Sequence, residues 1–330
     1  MKHQKALTIS IAAYNVAHCV GKAIESCVVP CASDLIEVLV VDDGSTDATS
    51  EVGRLYAEKF PDIVKVISKT NGGYGSTINT GIANASGKYF MILDGDDELD
   101  PEGLERLAYD ADATDADIIV TKFVEVYVDK GGEKCCDTLP GAGDGVHGFS
   151  EVMRDSEVAM HAYAFKTSLL KDAGIRITEN CFYTDTEIAL MPMMFVDEVL
   201  VRHYPVYRYA LGCEGQSVSL EGRRRHSQDV FTVFSKLLDF YDIAKTKGSA
   251  KRGFYLRNLG ITAVSCYESG FLQEVTFENW RSLMAFDKNL RKLPEIYNLD
   301  VYPGKTRLFR MTHYLAYPFC AWRAVKHLNR

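Results

Sequence analysis

The sequence has no run of about 20 apolar residues, the length that a helix needs to cross a bilayer. Its basic start lacks a long apolar segment and a small-residue cleavage site, so we predict no signal peptide. The nine cysteines are scattered and form none of the Cys-x-x-Cys pairs of zinc or redox sites. We therefore expect reduced thiols and a cytoplasmic location.

Positive charge is also in short supply. The 330 residues include 37 Lys and Arg against 45 Asp and Glu, a formal net charge of −8. General nucleic-acid binders depend on Lys and Arg to neutralise phosphates, so this balance argues against a nucleic-acid partner. Hydrophobic residues make up 47% of the chain and charged residues 25%, as in soluble globular proteins, and the length suggests two domains.

Strand-like and helix-like segments alternate through the first 128 residues. We predict strands over 6–13, 36–43, 63–68, 88–94 and 116–128, and helices over 17–28, 46–60, 75–85 and from Pro101 onward. This alternation predicts βαβ units and a mostly parallel sheet covered by helices. Thr46 or Asp47 is the predicted cap of the second helix. After Glu221 the chain becomes helical and charged, so we predict one domain over 1–220 and a helical region over 221–330.

Polar motifs follow each of the first four predicted strands. They read "YN", "DDGSTD", "NGGYG" and "DGDD" in chain order. Ligands of open parallel sheets bind outside the carboxyl ends of the strands, so these motifs predict a single ligand site.

The "DGDD" motif places Asp94, Asp96 and Asp97 at the end of a buried strand. Carboxylates this close raise one another's pKa unless a cation neutralises them, and Mg²⁺ prefers such oxygen ligands. The alternative is a solvated acidic turn before the Pro101 helix. An EF-hand fits poorly, because Leu99 stands where its loop requires glycine.

A phosphatase of the haloacid-dehalogenase type is another alternative, since it also has an apolar strand ending in Asp-x-Asp. In that class Thr or Val usually stands two residues after the second Asp, where this chain has Glu98. The motif also usually opens the fold, whereas Asp94 follows three strand–helix units.

An ordered series of motifs favours a third interpretation. The series is "ISIAAYN" (Ile9–Asn15), "EVLVVDDGSTDAT" (Glu37–Thr49), "NGGYGSTINTGIANASGKYFMILDGDD" (Asn71–Asp97), "FYTDTEIAL" (Phe182–Leu190) and "YRYALGCEGQSVS" (Tyr207–Ser219). Together these motifs closely resemble family 2 glycosyltransferases of the GT-A fold, of the type that builds bacterial cell-surface glycans. The resemblance spans roughly residues 7–219 and makes 1–220 the expected catalytic domain.

The resemblance implies roles for individual residues. The implied binders of the nucleotide sugar are Ala13, Tyr14, Asn15, Asp42, Asp43, Gly72, Gly73, Asp94, Gly95, Arg208 and Gln216. A carboxylate can accept a hydrogen bond from a base N–H, and glycines let the backbone approach a diphosphate. The implied ligands of Mg²⁺ or Mn²⁺ are Asp94, Asp96 and His226. His161 is expected on the acceptor side.

The resemblance also implies an inverting reaction with a general base. The family places this base in a Glu-Asp pair at a helix start, and Asp185 matches its Asp. Thr184 replaces the Glu, which leaves Glu187 as an alternative base and a non-catalytic nucleotide-sugar binder as an alternative function.

The expected function is the metal-dependent transfer of a sugar from a UDP-sugar to a glycan or lipid-linked saccharide. Residues 307–330 contain five Lys and Arg, several aromatic side chains and no acid. This composition suits a helix on the inner face of the cell membrane, and packing on the catalytic domain or a homodimer contact are its alternatives.

Overall fold

The structure, a computed structural model, describes residues 5–154, 156, 158–212 and 220–328. It divides into two compact units, Met1–Cys213 and Glu214–Arg330. The predicted boundary after residue 220 falls just past 213–219, a stretch outside the described residues.

The first half of the first unit is a parallel sheet with helices between its strands. The elements are β1 (Leu7–Ala13), α1 (Val20–Ser26), β2 (Ile36–Asp42), α2 (Thr49–Lys59), β3 (Val64–Ser68), α3 (Tyr74–Asn84) and β4 (Tyr89–Asp94). The strands lie in the order β3-β2-β1-β4, and all three pairings are parallel. Every residue of β2 is buried, as expected for a strand covered on both faces. The predicted strand and helix types are correct here, and their ends differ from the prediction by at most three residues.

The second half of the sheet mixes strand directions. Its elements are β5 (Glu98–Leu99), α4 (Pro101–Ala113), β6 (Ile118–Tyr127), β7 (Glu133–Cys136), β8 (Gly145–Gly148), α5 (Phe149–Val152), β9 (Tyr163–Lys166), α6 (Thr167–Asp172), α7 (Asp185–Leu190) and β10 (Glu198–Leu211). β9 lies between β4 and β6 and is antiparallel to both, whereas β6 and β10 are parallel. The long β10 also pairs antiparallel with β5 and β8. The expected mostly parallel sheet flanked by helices is therefore confirmed, with an antiparallel addition that the sequence patterns did not predict.

Two helix starts show how side chains set local structure. α4 begins as predicted at Pro101, and the Asp100 carboxylate caps it by accepting a hydrogen bond from the Gly103 N–H (2.8 Å). The start predicted for α2 was wrong by three residues, because the helix begins at Thr49. The Asp47 carboxylate accepts from the Thr49 N–H (3.0 Å), and its other oxygen accepts from the Ala17 N–H (3.1 Å).

The second unit is helical. Its helices are α8 (Leu220–Arg225), α9 (Ser227–Lys245), α10 (Ser249–Leu272), α11 (Phe277–Leu290), α12 (Pro294–Tyr297), α13 (Gly304–Met311) and α14 (Tyr317–Leu328). None of the helices in the described part of the chain is long and apolar enough to cross a membrane.

A buried ion pair lies in the core of this second unit. The fully buried Asp287 carboxylate accepts hydrogen bonds from Arg310 Nε (2.9 Å) and the Tyr314 hydroxyl (2.9 Å). The Arg310 guanidinium lies 3.9 Å from the ring centres of both Tyr297 and Tyr302. Since a buried charge is costly without partners, these contacts fix α11 and α13 to each other.

The packing of α4 on β10 tolerates no side chain at position 103. A Cβ added to Gly103 would lie 1.9 Å from the Pro205 carbonyl oxygen. We expect Gly103→Ala to lower the free energy of unfolding by about 1–3 kcal/mol, because the helix must move away from the strand. Urea denaturation measures the change. Gly141→Ala is the control, since a Cβ there has no neighbour within 4 Å, and equal stabilities for the two variants would contradict this packing.

Candidate functional site

The first two strand-end loops are tied together by Asn15. This residue has a left-handed backbone (φ 54°), and its side-chain oxygen accepts a hydrogen bond from the Thr46 N–H (2.8 Å). Its own N–H donates to Ser45 Oγ (3.0 Å), and the Ser45 N–H donates to the buried Asp42 carboxylate (3.0 Å). Tyr14 stands half exposed beside these contacts. These hydrogen bonds join the loops after β1 and β2 into one surface, on which the Tyr14 ring is accessible to a ligand.

Asp43 organises the glycine-rich loop that follows β3. Its Oδ1 accepts from Lys69 Nζ (2.6 Å), the Gly72 N–H (3.0 Å) and Ser76 Oγ (3.1 Å). Its Oδ2 accepts from the Gly73 N–H (2.8 Å). The carboxylate thus neutralises a lysine and shapes the turn that leads into α3.

The glycines of this loop are in close contact with other backbone. Gly73 is left-handed (φ 79°), and a Cβ there would lie 3.1 Å from Asn180. A Cβ on Gly75 would lie 2.0 Å from the Thr178 carbonyl oxygen. The Asn180 N–H donates to the Gly72 carbonyl (2.6 Å). The segment before α7 therefore packs directly on the start of α3.

The acidic turn after β4 is held by two tyrosines. The Tyr74 hydroxyl donates to the Asp94 carboxylate (2.7 Å), and the Asp94 N–H donates to the Tyr207 oxygen (3.1 Å). The fully buried Tyr207 donates in turn to the Asp97 carboxylate (2.8 Å). The other Asp97 oxygen accepts from the Ala210 N–H (2.7 Å). Asp97 therefore fixes the turn to β10 and leaves Asp94 facing α3.

A histidine completes a group of metal-type donors. One donor atom from each of Asp94, Asp97 and His161 lies within 4.8 Å of the others. The His161 ring stacks on Tyr209 (4.3 Å between ring centres) and meets Phe123 (5.4 Å). Burial lowers the pKa of His161 to about 4, so its ring is neutral at pH 7 and keeps a lone pair for a ligand.

Two carboxyl groups of the turn, those of Asp94 and Asp97, have raised pKa values. Burial raises the pKa of Asp94, and the charges on Asp96 and Asp185 raise it further. Burial also raises the pKa of Asp97, with a contribution from the charge on Asp94. A divalent cation would remove this repulsion, and two carboxylates with a neutral imidazole are ligands that Mn²⁺ or Mg²⁺ accepts. These residues fit such an ion.

Asp185 belongs to the same site. It is the first residue of α7, and its surface is exposed to solvent. The atoms packed around its carboxyl group nevertheless exclude part of the water there, and this desolvation raises its pKa. Glu187, two residues later, is fully buried and accepts a hydrogen bond from the Thr178 N–H (2.8 Å). Thr184 is also fully buried. Of the two acids in the first turn of this helix, only Asp185 is accessible.

The remaining predicted residues lie in several places. Ala13 is buried at the end of β1, and its carbonyl accepts from the Asp43 N–H. Gly95 is buried, and its N–H donates to the Ala12 carbonyl. Asp96 is exposed and is not one of the three residues of the donor group.

Three further predictions concern β10 and the chain beyond it. Arg208 lies on β10 and forms an ion pair with Glu133 of β7. His226 is in the second unit, where it precedes α9 and lies 3.2 Å from Asp229. Gln216 lies outside the described residues. The roles implied for all of the predicted site residues stay predictions.

Sequence reasoning missed three residues that shape the site, namely Lys69, Tyr74 and Tyr207. Lys69 and Tyr74 stand directly before and after the "TNGG" segment. Their closeness to this motif was the one sequence feature that could have pointed to them. Tyr207 opens the "YRYAL" segment, and its partnership with Asp97 joins residues that are 110 positions apart. A pairing of that kind has no local signature.

Solved structures with a similar fold include proteins in complex with nucleotide sugars. S. aureus TarS matches 96% of this chain and 54% of its own with a TM-score of 0.64 and 18% identity. A TarS fragment in complex with UDP-GlcNAc matches 88% of this chain and 89% of its own, with a TM-score of 0.52 and 18% identity. The mannosyltransferase PcManGT from Pyrobaculum calidifontis was solved in complex with GDP-Man and Mn²⁺. Its match covers 99% of this chain and 88% of the PcManGT chain, with a TM-score of 0.51 and 20% identity. The fold of this chain is therefore of the GT-A class.

Sequence comparisons match the N-terminal segment to a known family. Residues 8–137 match the model of Glycosyl transferase family 2. An uncharacterized glycosyltransferase of Nostoc is 39% identical over 101 residues, 31% of either chain. The succinoglycan biosynthesis protein ExoO of Rhizobium meliloti is 37% identical over 123 residues, 37% of this chain and 34% of ExoO. The chain thus matches about a third of the length of these relatives, and the predicted family resemblance is confirmed.

The raised pKa values of Asp94 and Asp97 predict how stability depends on pH. An unfolded Asp has a pKa of about 4, so the folded state holds these protons more tightly, and their stabilising contribution is lost as pH rises through the raised values. Without divalent cations, we expect the free energy of unfolding to fall as the pH rises from about 5 to about 8.

Asp97→Asn should make this decline shallower, because it removes one of the two titrating groups. Urea denaturation in EDTA across the pH range measures the slope. Asp112→Asn, at an exposed position of α4, is the control and should keep the wild-type slope. The same slope for all three proteins would contradict the assignment.

Proposed function

We propose that the chain is an inverting, metal-dependent glycosyltransferase that moves a sugar from a UDP-sugar to a saccharide acceptor. One observation carries this proposal. Carboxyl groups from two distant segments lie close enough to interact, because the charge on Asp185 at the start of α7 raises the pKa of Asp94 at the carboxyl end of β4. This is where a donor diphosphate and an attacking hydroxyl must meet.

The walls of the site supply the groups that a nucleoside diphosphate needs. Tyr14 offers a ring for the base, and Asp42 offers a carboxylate for base or ribose donors. Asp43 contributes to donor binding indirectly, by holding the glycine-rich loop in shape. Its own oxygens already accept hydrogen bonds from Lys69 and the glycine N–H groups. The start of the 11-residue helix α3 favours the negatively charged phosphates. The UDP-GlcNAc complex of the similarly folded TarS supports UDP as the nucleotide.

Asp94, Asp97 and His161 would hold the metal ion, and Asp97 would also support the turn. When bound, Mg²⁺ or Mn²⁺ supplies positive charge against the departing diphosphate. The chain contributes a neutral imidazole, a carboxylate oriented by Tyr74 and a turn that Tyr207 keeps in place. The Mn²⁺ complex of PcManGT supports a metal of this type.

Asp185 acts as the general base. The acceptor hydroxyl attacks the anomeric carbon from the side opposite the diphosphate, its proton passes to the Asp185 carboxylate, and the bond from carbon to diphosphate oxygen breaks. The raised pKa of Asp185 strengthens it as a base. Glu187 is buried and bonded to the Thr178 N–H, so it holds the segment before α7 in place.

The acceptor is a growing cell-surface glycan or a lipid-linked saccharide, and the reaction takes place in the cytoplasm at the inner face of the membrane. The role of ExoO in succinoglycan biosynthesis supports this class of acceptor. Thr184, where the family has Glu, favours one second candidate, a protein that binds the donor without transferring it.

Metal removal tests the proposal as a whole. We expect the protein to hydrolyse or transfer from a UDP-sugar with Mn²⁺, and to lose at least about 100-fold in rate with EDTA, because the leaving diphosphate is then uncompensated. Release of UDP measures the rate. Restoring Mn²⁺ after chelation is the control for irreversible damage. Unchanged turnover in EDTA would contradict the metal dependence, and donor binding without turnover on any acceptor would favour the second candidate.

Substitution of the base separates binding from chemistry. We expect Asp185→Asn to slow transfer by about 10²–10⁴-fold, because the acceptor proton has no destination, while the affinity for the UDP-sugar changes little. Transfer assays and calorimetry measure the two quantities. Asp112→Asn should match the wild type in both. Full activity of Asp185→Asn would remove it as the base.

A further inference from the structure

The outward face of the last helices of the second unit is apolar and basic. In α14, the residues at i, i+3, i+4 and i+7 from Tyr317 face the core and are buried, namely Tyr317, Cys320, Ala321 and Ala324. The same spacing from residue 319 gives the opposite face, which consists of Phe319, Trp322, Arg323 and Lys326. The outward face of a helix on a soluble protein is normally polar, yet this one exposes 47% of Phe319 and 57% of Trp322.

Two further apolar side chains are exposed just before α14 in the chain. Met311 ends α13 and is 77% exposed, and Leu315 lies before α14 and is 79% exposed. The turn is held from beneath, because the Tyr314 hydroxyl donates to Asp287 and the Trp280 indole N–H donates to the Tyr314 carbonyl (3.0 Å). The exposure of Leu315 is therefore imposed by a fixed backbone.

The charge around these residues has one sign. Residues 301–330 contain no Asp or Glu. Lys305, Arg307 and Arg310 have acidic partners earlier in the chain, whereas Arg323 and Lys326 form no ion pair within the part of the chain that the structure describes. Both lie against aromatic rings of the same face, with Lys326 Nζ 5.0 Å from the Trp322 ring centre. Their charge is available to an external anion.

We propose that this face of α14, formed by Phe319, Trp322, Arg323 and Lys326, binds the surface of a membrane that contains anionic phospholipids, together with the exposed Met311 and Leu315 that precede it. The apolar side chains enter the boundary between headgroups and acyl chains, where tryptophan is favoured, and the two cations contact lipid phosphates. A second copy of the chain fits this face less well, because its identical cations would meet across a symmetric contact. These side chains would hold the protein at a membrane whether or not it transfers a sugar.

Vesicle co-sedimentation of the full chain tests the proposal. We expect the wild type to pellet with phosphatidylcholine vesicles that contain phosphatidylglycerol, to pellet much less with phosphatidylcholine alone, and to be released by salt. The double variant Leu315→Ser/Trp322→Ser should lose about tenfold or more in partitioning, because it removes two inserted side chains. Arg323→Gln/Lys326→Gln should lose the preference for anionic vesicles.

Leu55→Ser is the matched control, since Leu55 is a similarly exposed apolar residue on α2 and its replacement should leave vesicle binding unchanged. Circular dichroism confirms that each variant is folded, which is expected because every changed side chain is exposed. Equal pelleting of the wild type with neutral and anionic vesicles, or of the wild type and the Leu315/Trp322 variant, overturns the proposal. So does sedimentation velocity showing a wild-type dimer that this variant dissociates, if the wild type binds no vesicles. No donor or acceptor is present, so failure here is distinct from failure of the proposed transfer.

Discussion

The candidate site depends on the cost of burying carboxylates at the end of a β-strand. Asp97 is buried, and it is tolerated because Tyr207 and the Ala210 N–H each donate to one of its oxygens. Those donors come from β10, so one side chain fixes the acidic turn to a strand far along the sequence. The Tyr207 hydroxyl oxygen also accepts a hydrogen bond from the Asp94 N–H, which fixes the backbone of Asp94 at the end of β4. The orientation of Asp94 follows from these bonds.

The parallel half of the fold could be predicted because its information is local. Apolar runs of strand length, helical spacing and polar strand ends all lie within short windows, and the four strands from β1 to β4 match them. β9 and β10 could not be predicted in the same way. β9 has four residues, and β10 changes register with β6 around Pro205, so neither shows a clean period. Their positions depend on tertiary pairing.

The same distinction between local and long-range information applies to the candidate site. Asp94 and Asp185 could be selected from motifs because each follows a recognisable strand end or helix start. The partners that orient them could not, since Tyr74 and Tyr207 are defined by contacts across the sheet. Asp43 shows a related limit. The motif marked it as a binder, whereas its contacts with Lys69 and the glycine loop are visible only when β2 and β3 lie side by side.

The contact of Gly75 with the Thr178 carbonyl oxygen has a consequence for how this protein can diverge. The loop that begins α3 and the segment that leads to α7 share a boundary with no space for a methyl group, and the Asn180 N–H is bonded to Gly72 across it. A larger residue at position 75 requires the backbone near 178 to retreat, and that movement would displace Asp185. The two segments can therefore vary only together, and homologous chains should show correlated replacements at these positions.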